Sequence, residues 1–239
     1  MTFVLDRPRC RAGLAAILAL SLAACSAAST PVPASSAPSP APSASAAAAS
    51  SGAGPSGCPT AAPPHAAAGS TATATIQTPK GTIVIKLEAD LGPAAVGNFI
   101  ALADCGYYDG VVFHRLVPGF VIQGGDGLFG RAPNVDPSQV GGGGPGYTID
   151  DDPVTTPYAR GVVAMARTPA PHSEGSQFFI VLDDAAAASL AAANTYAILG
   201  HVTSGMDVVD AIAAMPNSGS PSNAAIDPVP MTSVTITHP

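Results

Sequence analysis

The composition of the chain changes near residue 70, and this boundary limits how much of it can form a core. Residues 26–70 are almost entirely Ala, Ser, Pro, Gly and Thr, with hardly any charge and no aromatic side chain. Such a segment buries too little apolar area to offset the entropy of ordering it, so we predict that it is disordered. A core must therefore come from residues 71–239, which is enough chain for one ordinary domain.

The first 24 residues have the pattern of an export signal. An apolar run at 14–22 is too short to span a bilayer and follows three arginines, Arg7, Arg9 and Arg11. It ends in Leu-Ala-Ala-Cys at 22–25, which resembles the bacterial lipobox, in which the cysteine is diacylated and becomes the mature N-terminus. We therefore predict a signal peptide at 1–24, lipidation at Cys25 and a lipid-anchored tether at 25–70. The alternative is an ordinary cleavage site beside an incidental cysteine.

The charge of the chain excludes several classes of partner. Its formal net charge is −7, and the leader carries three arginines and one aspartate, a net +2, so the mature chain has −9. Because no Lys/Arg patch remains to neutralise phosphates, we expect no nucleic-acid partner. Attachment to a membrane would depend on the lipid at Cys25, which would hold an exported, monomeric domain on the extracytoplasmic side.

Residues 71–239 show many short β-rich segments separated by Gly/Pro turns. Two alternating segments around Pro79-Lys80-Gly81 predict a hairpin, and Pro93 begins a helical pattern that ends near Gly106. The remaining predicted elements are strands at 161–166, 177–182 and 196–202, a helix at 206–215 and a last strand at 229–237. These elements indicate a closed β-barrel or a sandwich capped by helices.

Five motifs in this region resemble those of the cyclophilin family. They are YDGVVFHRLVPGFVIQGGD at 108–126, GPGYTIDDD at 144–152, RGVVAMA at 160–166, GSQFFI at 175–180 and GHVTSGMDVVDAI at 200–212. The resemblance covers 71–238 and implies a mainly β fold, a closed eight-stranded antiparallel β-barrel capped by two α-helices. It also implies a peptidyl-prolyl cis-trans isomerase with its site on the outer barrel face and with no metal or cofactor.

The resemblance implies two catalytic side chains and a pocket for proline. Arg115 matches the catalytic arginine of the family, and Gln123 matches the glutamine that contacts the substrate. Phe120, Val121 and Phe179 match the side chains that hold the proline ring.

Four further positions are matched to substrate binding, and two of them depart from the family pattern. Ala166 and Arg167 occupy positions that are usually Ala-Asn, so Arg167 is a departure. Tyr196 stands where many relatives have histidine and a number of bacterial relatives have tyrosine. Leu190 would be a pocket wall, although the segment that follows it is longer than expected.

Rotation about an X-Pro amide needs only a few kinds of side chain. Its barrier of about 18–20 kcal/mol comes from the partial double bond, and no bond is broken. An arginine can donate to the prolyl nitrogen in the twisted state and stays charged at any relevant pH. The predicted mechanism is thus anchoring of the ring plus electrostatic stabilisation, acting on proline-containing exported polypeptides.

The departures leave a second function open. Arg167 and the altered segment 190–195 are also compatible with a cyclophilin-fold peptide-binding module or holdase that has weak or no catalysis. Outside the resemblance, an arginine on a strand is more often an ion-pair residue, and buried aromatic residues are more often core.

Four cysteines divide between the leader and the rest of the chain. Cys10 lies in the leader and Cys25 at the lipobox, which leaves Cys58 and Cys105. Disulfides persist in exported proteins, so we predict a Cys58–Cys105 bridge. The alternative is a buried Cys105 that acts as a small apolar residue, with Cys58 as a free thiol.

Overall fold

The computed structural model describes residues 55–239. The predicted signal peptide, the lipidation at Cys25 and the tether up to residue 54 lie outside the described residues. Within 55–239, no helix has both the length and the apolar character needed to cross a membrane.

The described chain contains nine strands and three α-helices. The strands are β1 (Thr71–Thr78), β2 (Gly81–Glu88), β3 (Val112–Val117), β4 (Val121–Gly124), β5 (Val162–Met165), β6 (Phe178–Val181), β7 (Ile198–Ser204), β8 (Ala224–Pro230) and β9 (Ser233–Thr237). The helices are α1 (Pro93–Asp104), α2 (Ala187–Ala193) and α3 (Met206–Ala213). The predicted hairpin is confirmed, with Thr71 opposite Glu88, and the helices that begin near Pro93 and Met206 are confirmed as well.

All nine strands form one curled antiparallel sheet in the order β8-β3-β4-β6-β5-β7-β2-β1-β9. In most strands alternate residues point into the main core, among them Ile76 of β1 and Ile85 of β2, both fully buried. Phe99 of α1 and Ile212 of α3 join the same core. Burial of each such side chain contributes about 1.5–3 kcal/mol, so this core is the main source of stability.

The predicted closed eight-stranded barrel is wrong in two respects: there are nine strands, and the sheet stays open between β8 and β9. The sequence predicted one last strand at 229–237, but the chain divides it at Met231 and Thr232. β8 pairs with β3 while β9 pairs with β1, so the two residues carry the chain from one edge to the other. β8 also contains Pro228 and Pro230, which have no N–H to donate to a further strand.

The prediction of two helices missed α2. This helix lies in the alanine-rich run after β6 and follows a short 3-10 turn at Asp184–Ala186. Asp183 accepts the Ala185 N–H at 2.8 Å and so caps the turn. Only Leu190 of α2 is buried, and a helix made mostly of alanine has no apolar periodicity for a sequence pattern to show.

A second, smaller core covers the outer face of β4, β5 and β6. In β6, Phe178 and Ile180 point into the main core, whereas Phe179 and Val181 point into the second one. The segment that carries Tyr158, together with α2, packs on this face. Because both faces of these strands are covered, the outer face can form an enclosed site.

The first helix is held in place by residues distant in sequence. No side chain next to Gly92 caps α1, but the buried carboxylate of Asp152 accepts the N–H groups of Ala94 at 3.2 Å and Ala95 at 2.8 Å. A negative charge at a helix N-terminus is stabilising, since it complements the free N–H groups there. This contact connects the loop after Gly146 to α1.

The residues just before β1 also contact α1, although the sequence assigned them to the tether. We call residues 55–70 the strap. The structure contains a Cys58–Cys105 disulfide, and the Ala66 N–H donates to the Pro93 carbonyl at 2.9 Å. Gly97 of α1 faces the backbone of Pro64 and Ala66. The strap is therefore attached to the domain at both ends of the helix.

Candidate active site

A single row of cross-strand partners places the central side chains. Arg115 of β3 lies opposite Gln123 of β4, Gln123 lies opposite Phe179 of β6, and Phe179 lies opposite Ala164 of β5. Directly opposed residues on neighbouring strands share a face of the sheet. The row therefore runs across four strands on the outer face.

A bulge in β3 is what points Arg115 outward. The register between β3 and β4 shifts between Phe113 and Arg115, at His114. Phe113 and Leu116 both belong to the main core, which strict alternation of side chains would not allow. The extra residue moves Arg115 to the outer face, as bulges near functional sites often do.

His114, at the bulge, is buried and neutral. Neither of its ring nitrogens has a hydrogen-bond partner within residues 55–239. Burial lowers the pKa of the imidazole to about 4, despite the opposing effect of Asp126. His114 is therefore uncharged near neutral pH and adds no charge to the site.

All nine residues that the sequence matched to catalysis or substrate binding line one cavity of about 190 Å³. They are Arg115, Phe120, Val121, Gln123, Ala166, Arg167, Phe179, Leu190 and Tyr196. They come from three strands, one helix and the connections between them. One wall is polar and carries Arg115 and Gln123, and the other walls are mostly apolar.

The apolar walls enclose a space suited to a small ring. Phe179 and Tyr196 pack edge to face with ring centroids 5.4 Å apart. Val121 and Leu190 are buried beside Phe179 in the second core, and Phe120 is half-buried against it. Aromatic edges and aliphatic side chains hold an apolar ligand without fixing any of its polar groups.

The polar wall is ordered by a chain of amides. Arg115 Nη1 donates to Gln123 Oε1 at 3.3 Å, and Gln123 Nε2 donates to Gln177 Oε1 at 3.0 Å. Gln177 Nε2 donates in turn to the carbonyls of Gly141 at 2.9 Å and Gly143 at 2.8 Å. Burial lowers the pKa of the Arg115 guanidinium, which nevertheless remains charged. One cation thus faces the cavity with its orientation restricted by its neighbours.

The glycine-rich loop that anchors this chain is held by one buried carboxylate. Asp126 Oδ2 accepts the N–H groups of Gly141 at 2.8 Å and Gly143 at 2.9 Å. A Cβ at Gly143 would meet Asp126 Oδ1 and would lie 2.8 Å from Leu128 Cβ. The close approach explains why this position is glycine. The loop also lines a second cavity of about 440 Å³, which shares Gln123, Ala166 and Arg167 with the first.

The charged group of Arg167 is directed into the protein. Its Nη1 donates to Asp151 Oδ1 at 2.8 Å and to the Thr195 carbonyl at 3.0 Å, and its Nη2 donates to the Ala170 carbonyl at 2.8 Å. The side chain is only 6% exposed. The guanidinium is therefore occupied by the protein, although the residue lines both cavities.

Sequence reasoning did not identify two residues that support the site. Gln177 lies two positions before Phe179 and therefore on the same face, which is the signal that could have indicated it. The Tyr158 hydroxyl donates to the Tyr196 carbonyl at 3.0 Å and accepts the Tyr196 N–H at 3.1 Å. Tyr158 lies in a loop, where no periodic pattern marks it.

The chemistry of the cavity is defined by what lines it. None of the nine lining residues carries a carboxylate, thiol or imidazole, so the cavity itself has no strong nucleophile or general base. It offers one fixed cation beside an apolar space. The fold and the site together define a mainly β protein with an apolar cavity next to a fixed hydrogen-bond donor.

Comparison with known proteins gives the family. Residues 73–238 match the family described as cyclophilin type peptidyl-prolyl cis-trans isomerase/CLD. A probable peptidyl-prolyl cis-trans isomerase of Brucella abortus is 38% identical over 155 residues, which cover 60% of this chain and 77% of the relative. A peptidyl-prolyl cis-trans isomerase of Streptomyces antibioticus is 38% identical over 152 residues, which cover 62% of this chain and 87% of the relative.

A solved structure agrees with this result. The crystal structure of a cyclophilin type peptidyl-prolyl cis-trans isomerase of Cryptosporidium parvum is 28% identical, with a TM-score of 0.58. The match covers 71% of this chain and 99% of that chain. The chain belongs to the cyclophilin-type peptidyl-prolyl cis-trans isomerases, and the predicted enzymatic function is confirmed.

Proposed function

We propose that the isomerase reaction takes place in the 190 Å³ cavity, with Arg115 as its catalytic residue. The observation that carries this proposal is the position of the Arg115 guanidinium, which faces an apolar cavity and is oriented through Gln123. The proline ring lies between Phe120, Val121 and Phe179, while the carbonyl before it rotates. Its neighbours in the chain extend toward the larger cavity, which Gln123 and Ala166 connect to the first.

Catalysis in this proposal depends on the difference between the planar and twisted amides. When the amide twists, its nitrogen becomes pyramidal and gains a lone pair that can accept a hydrogen bond. Arg115 donates to that lone pair, and this interaction is absent from the planar ground state. Because the donor is oriented before the substrate binds, little reorganisation is needed during rotation. Gln123 keeps the guanidinium in place and contacts the substrate.

The proposed substrates are exported polypeptides that contain proline. One solved C. parvum cyclophilin structure was determined in the presence of the dipeptide Ala-Pro, which supports an X-Pro unit as the bound element. A cavity of about 190 Å³ with mostly apolar walls has room for one proline ring. The mostly apolar walls place no demand on the residues far from the proline, which suits a broad range of clients.

We also propose that the enzyme is exported and anchored by a lipid on Cys25. The leader and lipobox support this proposal, and the net charge argues against direct binding to anionic lipid headgroups. The Cys58–Cys105 disulfide supports export as well, because disulfides are rare in reducing compartments.

A protease-free isomerisation assay on the mature chain tests the catalytic proposal. We expect the wild type to accelerate cis-to-trans exchange of an Ala-Pro peptide, and Arg115→Ala to lose at least about tenfold in kcat/KM because the donor is gone. Lys86→Ala, which removes an exposed cation on β2, is the matched control and should match the wild type. Binding of the peptide without any acceleration by the wild type would favour the holdase instead.

Membrane fractionation in the native host tests the anchor. We expect the wild-type chain in the membrane fraction, with an intact mass that corresponds to a diacylglyceryl group on a chain beginning at residue 25. Cys25→Ser removes the acylated thiol and should release the protein from that fraction. An unmodified wild-type chain recovered free of membrane would refute the lipid anchor.

A further inference from the structure

Three side chains hold the short segment that carries Tyr196. The Thr195 carbonyl accepts from Arg167 at 3.0 Å, and both backbone groups of Tyr196 bond to the Tyr158 hydroxyl. The Ala197 N–H donates to Glu174 Oε1 at 3.0 Å. Each residue of the segment is thus fixed by a side chain from a different part of the chain. The ring of Tyr196 packs edge to face against Phe179, with centroids 5.4 Å apart, and against Tyr158, with centroids 6.3 Å apart.

We propose that Glu174 is a positioning residue for the proline cavity, which it shapes by fixing the Ala197 amide and so the Tyr196 wall. The inference rests on the proposed placement of proline in that cavity. Glu174 lies outside the set of residues that line either cavity, so it acts through Tyr196 and does not contact the substrate.

The carboxyl group of Glu174 is held rigidly in the interior. Its side chain is fully buried, and its own backbone carbonyl accepts the Ile149 N–H at 3.0 Å. Oε1 accepts from Ala197, whereas Oε2 has no hydrogen-bond partner among residues 55–239. A buried carboxylate with one free oxygen would be costly, since ionised groups need several partners when removed from water. The geometry therefore favours the neutral acid.

The surrounding charges lead to the same conclusion. The groups that face Glu174 are the cation of Arg167, the carboxylates of Asp151 and Asp152, and the phenol of Tyr158. Burial, together with Asp151 and Asp152, raises the pKa of Glu174 to about 8, whereas the Ala197 N–H bond and Arg167 act to lower it. Arg167 is already paired with Asp151 at 2.8 Å, so its charge is only partly free to stabilise a second anion. Glu174 is therefore protonated at neutral pH and ionises near the upper end of the physiological range.

Ionisation of Glu174 weakens the hold on Tyr196. Oε1 of the charged carboxylate accepts the Ala197 N–H more strongly than the neutral acid does, but the unpartnered Oε2 attracts Arg167 away from the Thr195 carbonyl. The Tyr196 wall then loses the hydrogen bond that held the neighbouring Thr195. Arg115 keeps its own orienting hydrogen bond to Gln123 on the polar wall. The expected result is weaker binding of the proline ring above about pH 8, seen in KM more than in kcat.

The test is the pH dependence of isomerisation of an Ala-Pro peptide, measured without a coupling protease on the mature chain. We expect wild-type kcat/KM to fall by about threefold to tenfold as the pH rises past about 8, the effect of one lost hydrogen bond. Glu174→Gln keeps an oxygen for Ala197 but cannot ionise, so it should lack this fall. Glu174→Ala should have a raised KM at every pH. Glu88→Gln changes the half-buried glutamate on β2 and is the matched control.

Tyr196 ring signals in NMR spectra give a second measurement that does not depend on activity. In the wild type they should shift with a midpoint near pH 8, and in Glu174→Gln they should not. A decrease in kcat/KM with rising pH that persists in Glu174→Gln would overturn the inference. Wild-type Tyr196 ring signals that do not shift with pH would overturn it as well. Full activity of Arg115→Ala would instead refute the placement of the proline, so the two failures can be told apart. If Glu174→Ala does not fold, the Gln variant and the ring signals still decide.

Discussion

At the scale of single residues, the orientation of the proposed catalytic arginine depends on a chain of side-chain and backbone partners. Arg115 is oriented by Gln123, which is held by Gln177, which is fixed by two carbonyls of the glycine-rich loop. Amide groups suit this purpose because each can donate and accept at the same time. The orientation of the guanidinium is therefore set by backbone more than 20 residues away from it.

The first prediction concerns Gln177. Gln177→Leu leaves the Gln123 amide without its acceptor, so the guanidinium loses its fixed orientation and kcat/KM should fall about threefold to tenfold. Gln77→Leu, the same change at an exposed position of β1, should have no effect. The measurement is the protease-free isomerisation assay.

A double variant separates orientation from other effects of Gln177. If Gln177 acts through Arg115, adding Gln177→Leu to Arg115→Ala should cause little further loss, because the two sites are coupled. Fully additive losses would show that Gln177 acts on the substrate by another route.

At the scale of elements, α1 is built into the domain by two distant segments. Asp152 caps the N-terminus of α1. The strap lies against the helix, and the Cys58–Cys105 disulfide joins it to the end of the helix. The bridge spans 47 residues, and on the chain-entropy account its contribution to stability is about 4 kcal/mol at most. The strap thus attaches the start of the described chain to the helix.

The second prediction concerns Gly97, where the strap approaches α1. Replacing glycine by alanine within a helix ordinarily stabilises it by about 1 kcal/mol. At this position a Cβ would meet the Pro64 carbonyl oxygen and would lie 2.8 Å from the Ala66 nitrogen. We therefore expect Gly97→Ala to displace the strap and to expose the Ala66 N–H to hydrogen exchange, with no gain in the free energy of unfolding.

Removing the disulfide supplies the control. In a Cys58→Ser/Cys105→Ser background the strap is free to move away, so the same Gly97→Ala change should become stabilising. An equal effect of Gly97→Ala in both backgrounds would mean that the strap contact does not constrain the helix.

At the scale of the whole molecule, two buried titratable groups set the dependence of stability on pH. Burial raises the pKa of Glu174 from 4.5 to about 8 and lowers the pKa of His114 from 6.5 to about 4. Between pH 4.5 and about 8, folding therefore takes up a proton at Glu174, and the free energy of unfolding falls as the pH rises through this range. Between pH 6.5 and about 4, folding releases a proton at His114, and the free energy of unfolding falls as the pH falls through this range.

The third prediction is a plateau of stability in mildly acidic solution. Between pH 4.5 and 6.5 the proton uptake at Glu174 and the proton release at His114 have opposite effects. The free energy of unfolding should therefore change little in this range. Between 6.5 and about 8 it should fall by up to about 1.4 kcal/mol per pH unit, the limit for one proton. Urea denaturation of the mature chain from about pH 4 to about pH 9 measures it.

Two variants assign the limbs of this profile. Glu174→Gln should remove the loss above 6.5, and His114→Gln should reduce the loss on the acid side. Glu88→Gln should leave the upper limb in place. A wild-type stability that is constant from 6.5 to 8 would contradict the assignment of a buried neutral Glu174.

Much of the fold followed from local patterns in the sequence. The hairpin around Pro79, the helix that begins at Pro93 and the strand at Phe178 depend on alternation, proline and β-branched residues close together in the chain. The nine residues around the cavity could be named in advance because six of them lie within motifs of the family. Arg167, Leu190 and Tyr196 were matched by their positions between those motifs. Their roles in catalysis remain predictions, although the structure brings all nine together.

The tertiary structure alone decided the features that depend on distant contacts. Alternation places Phe113 and Arg115 on one face, and only pairing with β4 reveals the bulge at His114 that separates them. The open edge between β8 and β9 and the alanine-rich α2 likewise have no local signal.

Contacts between distant residues also explain three charged residues whose roles the sequence analysis assigned differently or did not assign. Asp152 caps a helix that begins 59 residues before it, Arg167 gives its charge to Asp151, and Glu174 fixes the amide of Ala197. By itself the sequence determined most of the strands, the helices that begin near Pro93 and Met206, and the motifs around the cavity, because those properties depend on neighbours along the chain. Partners of buried polar groups depend on neighbours in space, so only the folded structure could assign them.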